Sequence, residues 1–265
     1  MFASPSEICF SIFGLDIYYY GIIMACAVLV GVSFSNFVRR KYYSEILEND
    51  FFDIALVSII AGFLGARLYY CLFSYTYYSK HFLEIFDFRQ GGLSIHGGIL
   101  FGLIFGILFT KRKNVSILKM ADIFAYGIIL AQAIGRWGNF FNSEAFGKPT
   151  DIFCKLYIPI THRPLEYVNY EYFHPTFLYE SILNVLIFLI LFFVLRKVLK
   201  NFDGLIFCSY LILYSIARIL VEHLRIDSIL SVYSIPLPIV VSVIIIIFSF
   251  IMMICIYKNY LKMLK

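Results

Sequence analysis

The sequence predicts an all-α fold, a polytopic integral membrane protein of about seven transmembrane helices with a small external cap over about residues 142–175. Three observations carry this. The chain of 265 residues is 61% hydrophobic and only 15% charged, well above the apolar share and below the charged share of a soluble domain. It holds seven apolar stretches near the roughly 20 residues that a helix rising about 1.5 Å per residue needs to cross about 30 Å of hydrocarbon. Its basic residues gather in short clusters at the ends of alternate stretches, as a membrane orientation signal does. The net charge of +5 belongs to those clusters, so no nucleic-acid partner is expected.

Each element follows in order. The segment before the first stretch has no basic region and carries Glu7 and Asp16, which does not read as a cleaved signal peptide, so the first span (about 17–38) is expected to stay. The second covers about 51–73. The third, about 93–110, opens with Gly91-Gly92-Leu93-Ser94-Ile95-His96-Gly97-Gly98; four glycines around a histidine predict broken backbone lining a cavity. In the fourth (about 120–141), Asp122, Gln132, Arg136 and Asn139 fall within an arc of about 100° at helical spacing, so one face must line an interior. The fifth (about 176–195) starts after His174-Pro175 and carries Glu180 and Asn184 one turn apart. In the sixth (about 204–223) Tyr214, Arg218, Glu222 and the adjoining Arg225 share an arc of about 80°, and Arg218 and Glu222 are spaced to pair. The seventh (about 236–257) is apolar throughout. With no soluble domain, internal repeat or linker, residues 1–265 read as a single membrane-embedded domain.

Thirteen Lys and Arg residues, from Arg39 to Lys265, follow the odd-numbered spans, against six after the even-numbered ones, Lys80, Arg89, Lys148, Lys155, Arg163 and Arg225. The positive-inside rule then places the N-terminus outside and the C-terminus in the cytoplasm. Arg39→Ala, in a cytoplasmic loop by this reading, is expected to be close to silent. Cys26, Cys71, Cys208 and Cys255 lie in apolar segments, with only Cys9 and Cys154 in loops. That spacing suggests neither a disulfide framework nor a metal site.

Ionisable groups inside spans are costly and need a reason. Arg67, Arg136, Arg218, Glu180, Glu222 and His96 together make a polar interior rich in guanidinium. Arginine suits phosphate through its bidentate fork, and a phospholipid headgroup is the phosphate found at that depth. The densest signal is Gly135-Arg136-Trp137-Gly138-Asn139-Phe140-Phe141-Asn142-Ser143-Glu144-Ala145-Phe146-Gly147, too polar for a generic packing motif.

This run resembles the signature of the prolipoprotein diacylglyceryl transferases. Further elements similar to that family follow in order: Tyr20-Gly21, Gly65-Ala66-Arg67, the glycine-rich run around His96, His174-Pro175-Thr176 with Tyr179-Glu180, and Arg218, Glu222 and Arg225 at i, i+4 and i+7. The resemblance spans about residues 17–240. One departure is Ile226-Asp227, where the family often has a polar residue and a proline before the acid.

The resemblance implies a bacterial inner-membrane enzyme without metal or organic cofactor. Such an enzyme moves the diacylglyceryl group of phosphatidylglycerol to the lipobox cysteine thiol of a prolipoprotein signal peptide, giving a thioether and glycerol phosphate. His96 is the candidate base for the thiol, its alternative role being to fix the glycine-rich segment by hydrogen bonds. Arg136 and Arg225 are the candidate phosphate ligands. Tyr20, Asn139, Asn142 and Glu144 would orient the headgroup or the two arginines, while Arg67, Glu180, Arg218 and Glu222 are assigned to interhelical pairing. Two rival readings are a secondary transporter and a non-catalytic lipid-binding membrane protein. The absence of a paired repeat and the arginine excess weigh against the first.

Overall fold

The computed structural model describes residues 2–4, 6–88, 91–226, 231–232 and 235–263. Arg89, Asp227 and Lys265 of the sequence reading lie outside these residues. Seven helices among the described residues are long and apolar enough to cross a membrane: Tyr19–Tyr42, Glu48–Phe73, Ile95–Arg112, Ile117–Phe141, Thr176–Leu199, Leu205–Glu222 and Leu237–Met263. They match the seven expected spans to within a few residues at most ends. The seventh runs furthest past its expected end, to Met263, and the first also overruns, with Arg39, Arg40 and Lys41 in its last turn, where cations complement the helix dipole.

The chain divides into two compact units, one of residues 1–35 with 121–265 and the other of residues 36–120. In the 36–120 unit the second and third helices are joined along a glycine seam. A side chain at Gly97 would collide with Tyr69 Cβ and the Gly65 carbonyl, and one at Gly65 would collide with the Phe101 ring. Close backbone approach of this kind is what drives helix association where lipid supplies no hydrophobic force between helices. This corrects the expectation of broken backbone around His96. Gly97 and Gly98 are helical packing positions, whereas residues 91–94 precede the helix without regular structure and carry positive φ at Gly91 and Gly92, +78° and +70°.

The same unit corrects the placement of Arg39 in a loop, since it lies in the last turn of the first helix. Its side chain is buried, donating to the Ile46 carbonyl at 2.8 Å and to Asn36 Oδ1 at 2.8 Å, with Glu48 at 3.4 Å. It ties the end of the first helix to the start of the second. Arg40, beside it, is exposed.

In the other unit the first and fourth helices cross at Gly31 and Gly127, where a side chain on either would meet the other's backbone carbonyl. Asp122 of the fourth helix is fully buried and accepts from the backbone N–H of Gly204 at 2.6 Å and Phe207 at 2.8 Å. It caps the sixth helix from outside the chain segment, satisfying N–H groups that helix geometry leaves over.

Residues 142–175, between the fourth and fifth helices, are mostly not helical. Strand Leu156–Tyr157 pairs antiparallel with Tyr172–Phe173 and parallel with the N-terminal strand Phe2–Ala3. Beneath them Phe146, Leu156, Ile158, Phe173 and Phe177 form a buried apolar cluster. The chain then folds into a hairpin, Ile8–Ile12 with Leu15–Tyr18, turning at Phe13-Gly14 (φ +50° and +77°) before the first helix begins.

Candidate active site

The site is built around the end of the fourth helix. The helix stops at Phe141, and Ser143 and Ala145 then take left-handed backbone angles, φ +51° and +55°. This turn brings Gly147 between two other segments. Its N–H donates to the His174 carbonyl at 2.9 Å, and it bridges Arg225 on the other side. A Cβ at Gly147 would lie 2.8 Å from His174 Cβ and 2.8 Å from the Leu224 carbonyl oxygen. Only glycine fits there, so the last residue of the 135–147 run fixes the backbone that carries Arg225.

The fifth helix is locked to the same run at two points flanking Glu180. Buried Thr176 donates its hydroxyl to the Ala145 carbonyl, and Ser181 donates to the Ala133 carbonyl at 2.8 Å. Glu180 therefore stands at a defined height, with its side chain only 6% exposed. Its Oε2 lies 2.6 Å from Arg136 Nη2, while its Oε1 accepts from Arg218 at 3.1 Å and from Arg225 at 3.0 Å. Arg218 also pairs with the buried Glu222 at 2.8 Å, one turn further on. Among the described residues, three guanidiniums thus meet two carboxylates. Arg136 receives a further neighbour, Tyr214, whose hydroxyl accepts at 3.3 Å. No described residue bonds to its Nε or Nη1.

The remaining candidates fall into separate places. Asn139 and Asn142 donate to Glu144 Oε1, at 2.9 and 3.5 Å. These three residues bond to one another, and among the described residues none of them pairs with an arginine of the cluster. The Tyr20 ring packs on Gly138, where a Cβ would lie 2.7 Å from it. His174, just before the fifth helix, is hydrogen-bonded through Nδ1 to the Tyr179 hydroxyl at 3.1 Å, and burial holds its imidazole below the usual histidine range.

Two candidates belong to the 36–120 unit. Among the described residues Arg67 meets no carboxylate, contrary to the interhelical pairing assigned to it. All its donors go to backbone carbonyls of the following loop: Nε to Ile85 at 2.9 Å, Nη1 to Gly91 and Gly92 at 2.7 and 3.2 Å, and Nη2 to Glu84 and Asp87 at 2.5 and 2.8 Å. A guanidinium has five N–H groups in a planar fork, and here it serves as the template of that loop. His96 sits one residue inside the third helix, exposed, with its ring 6.3 Å from that of Tyr69. No described residue hydrogen-bonds to its imidazole.

Sequence reasoning assigned no role to three residues of this site. Tyr214 was visible in the polar arc of the sixth helix but had no named partner. Thr176 and Ser181 lock the fifth helix through backbone carbonyls, and a side chain's partner carbonyl leaves no mark in a sequence.

Comparison with known proteins places this geometry. The family model described as prolipoprotein diacylglyceryl transferase matches residues 7–255. A protein of Acaryochloris marina is 44% identical over 230 residues, covering 87% of this chain and 83% of that protein. One of Synechococcus elongatus is 43% identical over 260 residues, 97% of this chain and 89% of its own length. One of Clostridioides difficile is 41% identical over 224 residues, with 84% and 85% covered. All three are named phosphatidylglycerol--prolipoprotein diacylglyceryl transferase. With matches of this length and identity, the chain belongs to the prolipoprotein diacylglyceryl transferase family.

Proposed function

We propose that this protein transfers the diacylglyceryl group of phosphatidylglycerol to the lipobox cysteine of a prolipoprotein signal peptide, acting as one membrane-embedded domain in a bacterial inner membrane. The thiol sulfur attacks the lipid glycerol carbon bonded to phosphate oxygen. The carbon–oxygen bond breaks, a thioether forms, and glycerol phosphate leaves with the electron pair of that bond. A thiol of pKa about 8.5 is mostly protonated at neutral pH, so a base is needed, and His96 takes this role. Negative charge grows on the departing phosphate, and fixed cations aimed at that charge lower the barrier.

Arg136 and Arg225 supply those cations. The observation that carries the reading is the convergence of Arg136, Arg218 and Arg225 on the buried carboxylate of Glu180. Phosphatidylglycerol carries one negative charge at its phosphodiester, the kind of group that guanidiniums bind through their planar fork. Tyr20, Asn139, Asn142 and Glu144 line the approach and orient the headgroup, with Arg67 shaping the loop that precedes His96.

Purified protein in detergent, given phosphatidylglycerol and a lipobox peptide, should raise the peptide mass by one diacylglyceryl unit. A transporter or a non-catalytic lipid-binding protein would leave the mass unchanged, and that result would end the transferase reading.

A further inference from the structure

We propose that Glu180 is the positioning residue of the phosphate site, a role that rests on the transferase reading and goes beyond helix pairing. Three guanidiniums drawn together in a medium of low dielectric repel one another strongly. Left alone they would separate or turn toward water. One carboxylate prevents this by engaging all three, with Oε1 shared between Arg218 and Arg225 and Oε2 given to Arg136. Glu180 can impose this geometry because its own height is fixed by Thr176 on Ala145 and Ser181 on Ala133. Arg218 is further committed to Glu222. Arg136 gives Glu180 only an Nη2 hydrogen, and the edge bearing Nε and Nη1 meets no described residue. Glu180 therefore holds Arg136 by one corner and turns its other edge to the incoming phosphate.

The test is Glu180→Gln, which keeps the length of the side chain and one acceptor oxygen but removes the charge. Transfer kinetics would be measured against the mole fraction of phosphatidylglycerol in detergent micelles, with thermal stability measured on the same preparation. Loss of aim, not loss of attraction, should result, because the cluster becomes more positive while its arginines spread. The expected result is a fall in kcat of about a hundredfold, the scale of a 1 Å misplacement, with KM for the lipid unchanged or lower. Parental kcat overturns the proposal. A KM that rises, with or without a change in kcat, also overturns it, since that marks lost lipid binding. So does a loss of folded protein whose surviving fraction shows parental constants. If Glu180→Gln does not fold, Glu180→Asp decides: the charge is kept on a shorter arm, kcat should fall about tenfold at parental KM, and parental kcat overturns the proposal. The parent protein run alongside separates the two readings, because a parent that adds no diacylglyceryl mass fails the transferase reading itself.

Discussion

Arg136 shows why charge alone is too coarse a description of this site. Its Nη2 is spent on Glu180 and Tyr214, and a planar edge remains for a phosphate. Lysine would keep the charge yet offer a single ammonium, which cannot hold Glu180 and a phosphate oxygen in two fixed directions. Arg136→Lys should therefore lose at least a hundredfold in kcat/KM, on the scale of removing one transition-state donor, in the mass-shift assay. Near-parental transfer at equal protein would remove Arg136 from the phosphate role. His96 poses a different question, since its ring is exposed and bonded to no described residue. If it takes the thiol proton, His96→Gln should fold and bind phosphatidylglycerol but transfer slowly. The deficit should shrink as pH rises from about 6.5 to 9, toward the thiol's own pKa, where thiolate forms unaided. A rate ratio that stays constant across that range would assign the activation of the thiol to the arginine field instead. The polar residues of the cluster were legible in the sequence because each breaks an apolar run at helical spacing. Their partners were not: Glu180 could be paired with any arginine, and only the fold shows that it meets three.

At the scale of elements, the glycine-rich run before the third helix shows where reading a sequence stops. Four glycines near a histidine fit a broken strand of backbone as well as a helix seam, because glycine permits both positive φ and close approach. The structure uses both, Gly91-Gly92 for the first and Gly97-Gly98 for the second. The neighbouring pair then gives a sharp contrast. A Cβ at Gly97 would overlap Tyr69 Cβ and the Gly65 carbonyl, whereas one at Gly98 would rest at 3.5 Å from the Gly62 carbonyl oxygen and 3.6 Å from Ala66 Cβ. Gly97→Ala should cost about 1–3 kcal/mol, the usual penalty of overpacking. Gly98→Ala should be neutral or slightly stabilising, since alanine is the better helix former. Thermal unfolding in detergent checks both, and equal behaviour of the two variants would mean that the seam between the second and third helices is looser than its contacts imply. The spans themselves were legible almost to their ends, because length and apolarity are dictated by the bilayer. The cap was legible only as a length of chain, since its strands are two residues long and recruit Phe2–Ala3 from the opposite end of the sequence.

The orientation of the whole molecule follows from where the cations lie once Arg67, Arg136 and Arg218 are set aside as interior. Of the others, thirteen follow odd-numbered spans and six lie in the N-terminal, even-span and cap segments. Lys113 and Lys119, among the thirteen, form ion pairs with Asp50, Asp53 and Glu45 of the loop and helix start that face the same end of the 36–120 unit. Acidic partners do not weaken the signal, because Asp and Glu contribute little to the rule. The N-terminus, the cap and the loop after the sixth helix should then lie outside, and the C-terminus in the cytoplasm. In a background with the six native cysteines replaced, single cysteines at Ser6, Leu165 and Lys258 report this directly. Ser6 and Leu165, both exposed, should react with a membrane-impermeant maleimide in intact cells, and Lys258 only after permeabilisation. Labelling of Ser6 and Lys258 from the same side would make the number of spans even. Reaction of Lys258 alone in intact cells would invert the molecule and put Arg136, Glu180 and Arg225 at the cytoplasmic face. A lipoprotein precursor that presents its cysteine on the outer side of the membrane could not then reach the cluster, so the labelling result bears on the proposed reaction as well as on the fold.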